Sequence, residues 1–193
     1  MGQGVAARGI ARRYLFAALF ASCLLSGPAH ASKSRNAAIL ARVLSFELTL
    51  DERAGASVGV AVIYKRGDPR SEANADEWLE ALRGLSSVRI KDRLFSAAKV
   101  AYGGAELAGA IDGGADVLLV ADGLTAELDA IAQLSRSRQV LTASNAVASV
   151  AQALTLCVTE EGDKIKIVIN LNNAHREGIR FSSQLLKLAT IIR

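Results

Sequence analysis

The chain has 193 residues, with 23 Lys and Arg against 19 Asp and Glu, two histidines and two cysteines. Three arginines and no acids precede Ser32, so the remaining 162 residues carry 20 basic against 19 acidic side chains, and the pI near 9.3 largely reflects the leader, which removes the electrostatic reason to expect a nucleic-acid partner. After residue 31 only His175 and Cys157 are left of their types, which excludes a His-rich metal site and an intramolecular disulfide.

Arg8, Arg12 and Arg13 come before an apolar run from Tyr14 to Leu25, then Gly27-Pro28 and Ala29-His30-Ala31. This is the basic, apolar, small-residue order of a cleaved secretory signal, with cleavage expected before Ser32. The apolar run is short for a bilayer span. Two variants stay open: lipidation at Cys23 in the imperfect lipobox Phe20-Ala21-Ser22-Cys23, and a twin-arginine route through Arg12-Arg13-Tyr14-Leu15. The expected division is a signal peptide over 1–31 and one domain over 32–193, since no linker or repeat interrupts the latter.

In chain order, Ala38, Ile39, Ala41, Val43, Leu44, Phe46 and Leu48 fit a helix. Ser57 to Tyr64 is β-branched and nearly uninterrupted, the pattern of a strand buried on both faces, and ends in the turn Lys65-Arg66-Gly67-Asp68-Pro69. A helix over 73–83 follows, with Trp78, Leu79 and Leu82 on one face and Gly84 closing it. Val88 to Ile90 and Ala97 to Tyr102 are expected as short edge strands, and Gly104 to Asp112 as a helix. Ala115 to Val120 is a second buried strand, Thr125 to Ser135 a helix, and Gln139 to Ala143 a third strand. This alternation predicts a parallel sheet with right-handed crossovers. Leu154 to Thr159 and Lys164 to Asn170 alternate apolar with polar around Glu160-Glu161-Gly162-Asp163, an antiparallel hairpin. Ser182 is read as the N-cap of a last helix reaching Ile192. The fold class is therefore α/β, a single three-layer αβα domain with a mainly parallel sheet and a C-terminal antiparallel hairpin.

The same residues offer little chemistry. Neither Tyr102-Gly103-Gly104 nor Gly113-Gly114 forms a phosphate-cradling glycine motif, no serine sits in a nucleophile elbow, and no carboxylate pair stands out for acid–base work. No catalytic, metal-binding or cofactor-binding residue is assigned and no cofactor is expected. Cys157 reads as a small hydrophobe in a strand. Asp122, Ser144 and Asn145 follow buried parallel strands at the carboxyl edge, where open α/β sheets bind ligands, and they form the candidate ligand-binding set.

Gln139-Val140-Leu141-Thr142, the hairpin, Ile169-Asn170-Leu171, Ala174, Gly178-Ile179-Arg180 and Ser182-Ser183-Gln184-Leu185-Leu186-Lys187-Leu188-Ala189 together resemble the YfiR/HmsC-like family in order and spacing. Ala115 to Gly123 would match its apolar central strand and Ala37 to Glu47 its first helix. The resemblance implies an exported, non-enzymatic α/β regulator of the periplasm. Its implied partner is an inner-membrane diguanylate cyclase or sensor kinase, repression of which lowers cyclic di-GMP and biofilm formation, and it also implies a homodimer. His175, Arg176 and Arg180 are the candidate partner contacts. The cysteines that form disulfides in some members are absent here except Cys157, so a redox control does not carry over intact. The alternative reading is a solute-binding accessory protein of an envelope transport or receptor system, using Asp122, Ser144 and Asn145.

Overall fold

The structure is a computed structural model that describes residues 28–193 apart from Asp163, with side chains described from Ser32 onward. The lipobox and twin-arginine readings fall on residues outside the described ones. Helix α1 (Pro28–Leu44) places Ala37, Leu40, Ala41 and Leu44, each at most 3% exposed, on one face at helical spacing. It ends three residues short of the expected Glu47. Residues 46–48 pair instead with the C-terminal segment: Leu48 N–H donates to Arg180 O at 2.7 Å, Ser182 N–H to Phe46 O at 2.9 Å, and Glu47 bridges Phe181.

A one-turn helix α2 (Leu50–Arg53) leads into strand β1 (Ser57–Tyr64), buried except at its ends. Helix α3 (Pro69–Arg83) starts four residues earlier than expected, because Asp68 caps it by accepting from the N–H groups of Arg70 and Ser71 and Pro69 fits the first turn. A hairpin of β2 (Arg89–Ile90) and β3 (Arg93–Ala101) turns through Lys91 and Asp92, both at positive φ. Next come α4 (Gly104–Asp112), β4 (Ala115–Val120), a 3-10 turn at Thr125–Glu127, α5 (Leu128–Arg138) and β5 (Leu141–Ser144). The chain closes with α6 (Val147–Gln152), β6 (Leu156–Glu161), β7 (Lys164–Asn170), α7 (Leu171–Arg176), α8 (Ser183–Leu186) and β8 (Thr190–Ile192).

One eight-stranded sheet runs in the order β2-β3-β1-β4-β5-β6-β7-β8. The block β3-β1-β4-β5-β6 is parallel, β6–β7 is the predicted antiparallel hairpin, and β2–β3 is antiparallel. Alternation along each strand divides the core. Val58, Val60 and Val62 of β1 with Val117 and Leu119 of β4 pack under α1 and α3, while Ala61, Ile63, Leu118 and Val120 meet Leu107, Leu128 and Ile131 from α4 and α5. Each large aliphatic side chain so buried contributes about 1.5–3 kcal/mol. The three-layer α/β architecture is thus as expected, with helices on both faces.

Two expectations are corrected. The segment containing Ala97 to Tyr102 is no edge strand, for β3 pairs along its whole length with β1 and only β2 lies outside it. The last helix stops at Leu186. Its N-cap is Ser182, whose Oγ accepts from Leu185 N–H at 3.3 Å, but Thr190, Ile191 and Ile192 pair in parallel with Val168, Ile169 and Asn170. These β-branched residues satisfy the open edge of β7 that a helix would leave unpaired.

Candidate functional site

The strand order reverses between β1 and β4, and the crevice outside their carboxyl ends is where such a sheet takes ligands. Here the chain itself fills that crevice. Lys65 N–H donates to Ser71 Oγ at 2.9 Å, Asp122 N–H donates to Asn74 Oδ1 at 3.2 Å, and Lys65 Nζ pairs with Glu127 Oε1 at 2.9 Å. Gly123, at φ +90°, lies so close to α3 that a Cβ would come within 2.9 Å of Asp68 Oδ2 and 3.2 Å of Ser71 Cβ.

One strand further on, between β4 and β5, a cavity of about 190 Å³ opens, lined by Asp122, Gly123, Thr125, Leu128, Ser144 and Ser149 among others. Drug-sized ligands occupy about 300–1,000 Å³, so this depression suits a group of a few heavy atoms. The structure brings Asp122 and Ser144 together on its wall. Asp122 is exposed, whereas Ser144 is buried and its Oγ accepts from Ala146 N–H at 3.1 Å. Asn145 does not line the cavity; its Oδ1 is buried beside it without a hydrogen-bond partner.

On the α1 side of this edge, Lys33 is 8% exposed, with Nζ 4.7 Å from the centre of the Trp78 ring. Burial pushes its ammonium pKa down, against the pull of the Asp122 and Glu77 carboxylates. Nothing in Ser32-Lys33-Ser34-Arg35 marks this lysine as buried, and only the placement of α1 over α3 reveals it.

His175, Arg176 and Arg180 lie at the opposite end of the sheet. Strand β7 runs antiparallel to β6 and delivers α7 to the amino edge of the parallel block, beside the start of β5. All three side chains are exposed, and Arg180 Nη2 stands 3.5 Å from Glu52 Oε1.

Beneath them the amino edge holds buried carboxylates that the sequence did not single out. Glu177 accepts from Ser135 Oγ at 3.0 Å, from Thr142 Oγ1 at 2.6 Å and from Thr142 N–H at 3.0 Å. Burial pushes its pKa up in spite of these donors. Glu47 accepts from the N–H and hydroxyl of Thr49 and from Arg53 Nη2 at 3.0 Å. Arg53 continues to Asp116, donating to its backbone O at 2.8 Å and standing 3.7 Å from its Oδ1. Asp116 is the extra residue where the β1–β4 register shifts, and its Oδ2 takes the Gly59 N–H at 2.9 Å. Its carboxyl is pushed up by burial, opposed by that N–H and by Arg53. These are structural networks whose carboxylates are held from within the chain, although Arg53 Nε is buried without a hydrogen-bond partner.

Among the described residues no group of three or more His, Cys, Asp or Glu side chains is placed to hold a metal ion, and no helix is long and apolar enough to cross a membrane.

The fold is shared with several solved structures. A conserved domain protein from Vibrio cholerae superposes with TM-score 0.58 at 14% identity, over 83% of this chain and 60% of that one. The substrate binding protein CD0873 from Clostridium difficile, which has adhesive properties and was solved in a ligand-free, open form, gives 0.56 at 11%, over 75% and 57%. The ABC domain in complex with L-Trp from Streptococcus pneumonia gives 0.54 at 13%, over 78% and 60%. The chain therefore spans 57–60% of the length of these proteins, and the likeness is one of fold. No curated protein matches the sequence. The family model described as YfiR/HmsC-like matches residues 35–190, from the early turns of α1 to the first residue of β8, so the sheet and its flanking helices are that family's fold and the chain belongs to the YfiR/HmsC-like family.

Proposed function

We propose that this protein is an exported regulator that works in the periplasm by binding an inner-membrane signalling protein, a diguanylate cyclase or a sensor kinase, and that it performs no catalysis. The observation that carries the reading is the family match over residues 35–190. On this reading the partner meets the exposed His175, Arg176 and Arg180 at the amino edge. That surface is rigidly backed, since Glu177 between them is anchored to Ser135 and Thr142, so an acidic partner would find preplaced charges. Control of cyclic di-GMP and biofilm formation would follow from the state of the partner.

The test is in-cell crosslinking of tagged protein, purification from the envelope, and mass spectrometry of captured proteins against an untagged control. Enrichment of a membrane diguanylate cyclase or sensor kinase is the expected result. Capture of transport or receptor components alone would overturn it.

One observation favours a second reading, that of a solute-binding accessory protein: the depression where Asp122 and Ser144 meet, in a fold shared with a substrate binding protein. Its small volume points to a small polar solute. Thermal stabilisation by such a solute, lost in Asp122→Ala, would support it, and no stabilisation by any of a panel of small polar metabolites would remove it.

A further inference from the structure

Helix α1 is held to the domain in two unlike ways. From Ala37 onward its inward face is apolar and sealed, with Ala37, Leu40, Ala41, Val43 and Leu44 all at most 3% exposed. Before Ala37 the buried residues are Lys33 and Asn36, at 8% and 4% exposure, and both are poorly matched by what they touch. Lys33 Nζ rests on the Trp78 ring, with no carboxylate of the described residues within ion-pair distance. Asn36 Oδ1 and Trp78 Nε1 are buried without hydrogen-bond partners, although Trp78 is 1% exposed. Among the described residues, the ion pair tying this stretch down, Arg35 to Glu160 at 3.7 Å, is loose and has its arginine 55% exposed.

Lifting these turns would uncover one side of an indole, which opposes the motion. It would also give up the ammonium–indole contact, and against these costs it would return a buried ammonium, an unpartnered amide oxygen and an unpartnered indole N–H to water. The opposing contributions are of similar kind and size, which is the condition for two populated positions.

We propose that Ser32 to Asn36 form a displaceable strap over Trp78, hinged at Ala37, which when closed screens the indole and when open bares it. The strap belongs to this chain alone, so its test does not depend on which partner or solute the protein binds.

Trp78 is the sole tryptophan, and acrylamide quenching of its fluorescence in the purified exported protein reads the strap directly. Quenching well above that of a sealed indole is expected for the wild type. Lys33→Met, which keeps the stem and removes the charge, and Asn36→Leu, which removes the orphaned amide, should each lower the quenching constant by about threefold through a shift toward the closed position. Far-UV circular dichroism checks that both variants are folded. Wild-type quenching at the floor set by a sealed indole overturns the strap whatever the variants do, and so does quenching that neither folded variant lowers.

Discussion

Glu177 and Thr142 meet twice: the carboxylate takes the threonine's N–H at 3.0 Å and its hydroxyl at 2.6 Å. A side chain from the loop after α7 thereby closes the start of β5, where the ladder to β6 has not yet begun, since that pairing opens at Ala143 and Leu156. Thr142 Oγ1 in turn accepts from Thr155 N–H at 3.0 Å, so three segments depend on one carboxylate. Glu177→Ala strands the N–H and hydroxyl of Thr142 in the interior, while Ser135 Oγ keeps its bond to Ala132 O at 2.9 Å, and a loss of about 2–4 kcal/mol is expected in urea unfolding.

The same residue sets a pH dependence. Burial raises the folded pKa of Glu177 above its ordinary 4.5, and Asp116 is shifted in the same direction. A raised carboxyl pKa favours the folded state most below the unfolded value, and that contribution is lost as pH rises through the folded value. Stability should therefore decline on account of these groups as pH rises above their ordinary values of 3.8 and 4.5. Thermal melts across that range should show a shallower decline in Glu177→Gln than in the wild type.

Arg53 is the cation between Glu47 and Asp116, whose side chains are 0% and 8% exposed. Arg53→Met fills a similar volume but leaves two buried carboxylates facing each other without a counter-charge. A loss of about 3–5 kcal/mol is expected, read as a lower urea midpoint. Arg53→Lys should recover only part of it, because one ammonium cannot repeat the two-sided contact of a guanidinium.

Gly59 lies where β1 and the Gly114 turn press together, and an added Cβ would fall 2.3 Å from the Gly114 carbonyl oxygen. Backbone must move to admit it. Gly59→Ala should cost about 1–3 kcal/mol and lower the melting temperature, whereas Gly55→Ala, with open space around the site, should change it little.

The Cys157 thiol is fully buried, and burial pushes its pKa up to about 12. It should not react with a thiol reagent in the folded protein and should react after denaturation. Rapid labelling under native conditions would contradict the packing of β6.

The two candidate surfaces lie at opposite ends of the sheet, which makes them separable. Arg176→Glu combined with Arg180→Glu should lower partner capture by about tenfold or more on the regulatory reading, and Asp122→Ala should leave capture unchanged. The reverse pattern would move the function to the carboxyl edge.

Much of this architecture was legible because burial on both faces writes itself as unbroken β-branched runs. Ala115 to Val120 is the clearest case, matching β4 from end to end. The C-terminal helix ends sooner than its pattern suggests, because Leu185, Leu186, Leu188, Ala189 and Ile192 do repeat at helical spacing, while the edge of β7 that captures Thr190 to Ile192 is a tertiary feature. Asp122 and Ser144 could be placed together because both close adjacent parallel strands. Lys33, Arg53 and Glu177 could not be found, since a buried charge looks like a surface charge until its partners, up to 63 residues away in the case of Arg53 and Asp116, are brought beside it.

The pairing of residues 46–48 with Arg180 to Ser182, and of Thr49 Oγ1 with the Gly178 carbonyl 129 positions away, fastens the two ends of the domain to each other like a buckle. Contacts of such sequence separation form late. A polypeptide arriving in vectorial order, from a ribosome or through a translocation pore, cannot fasten it until Gly178 to Ser182 are delivered. Truncation before Gly178 would therefore leave residues 46–49 without their strand and hydroxyl partners, and the native state waits on the arrival of Gly178 to Ser182.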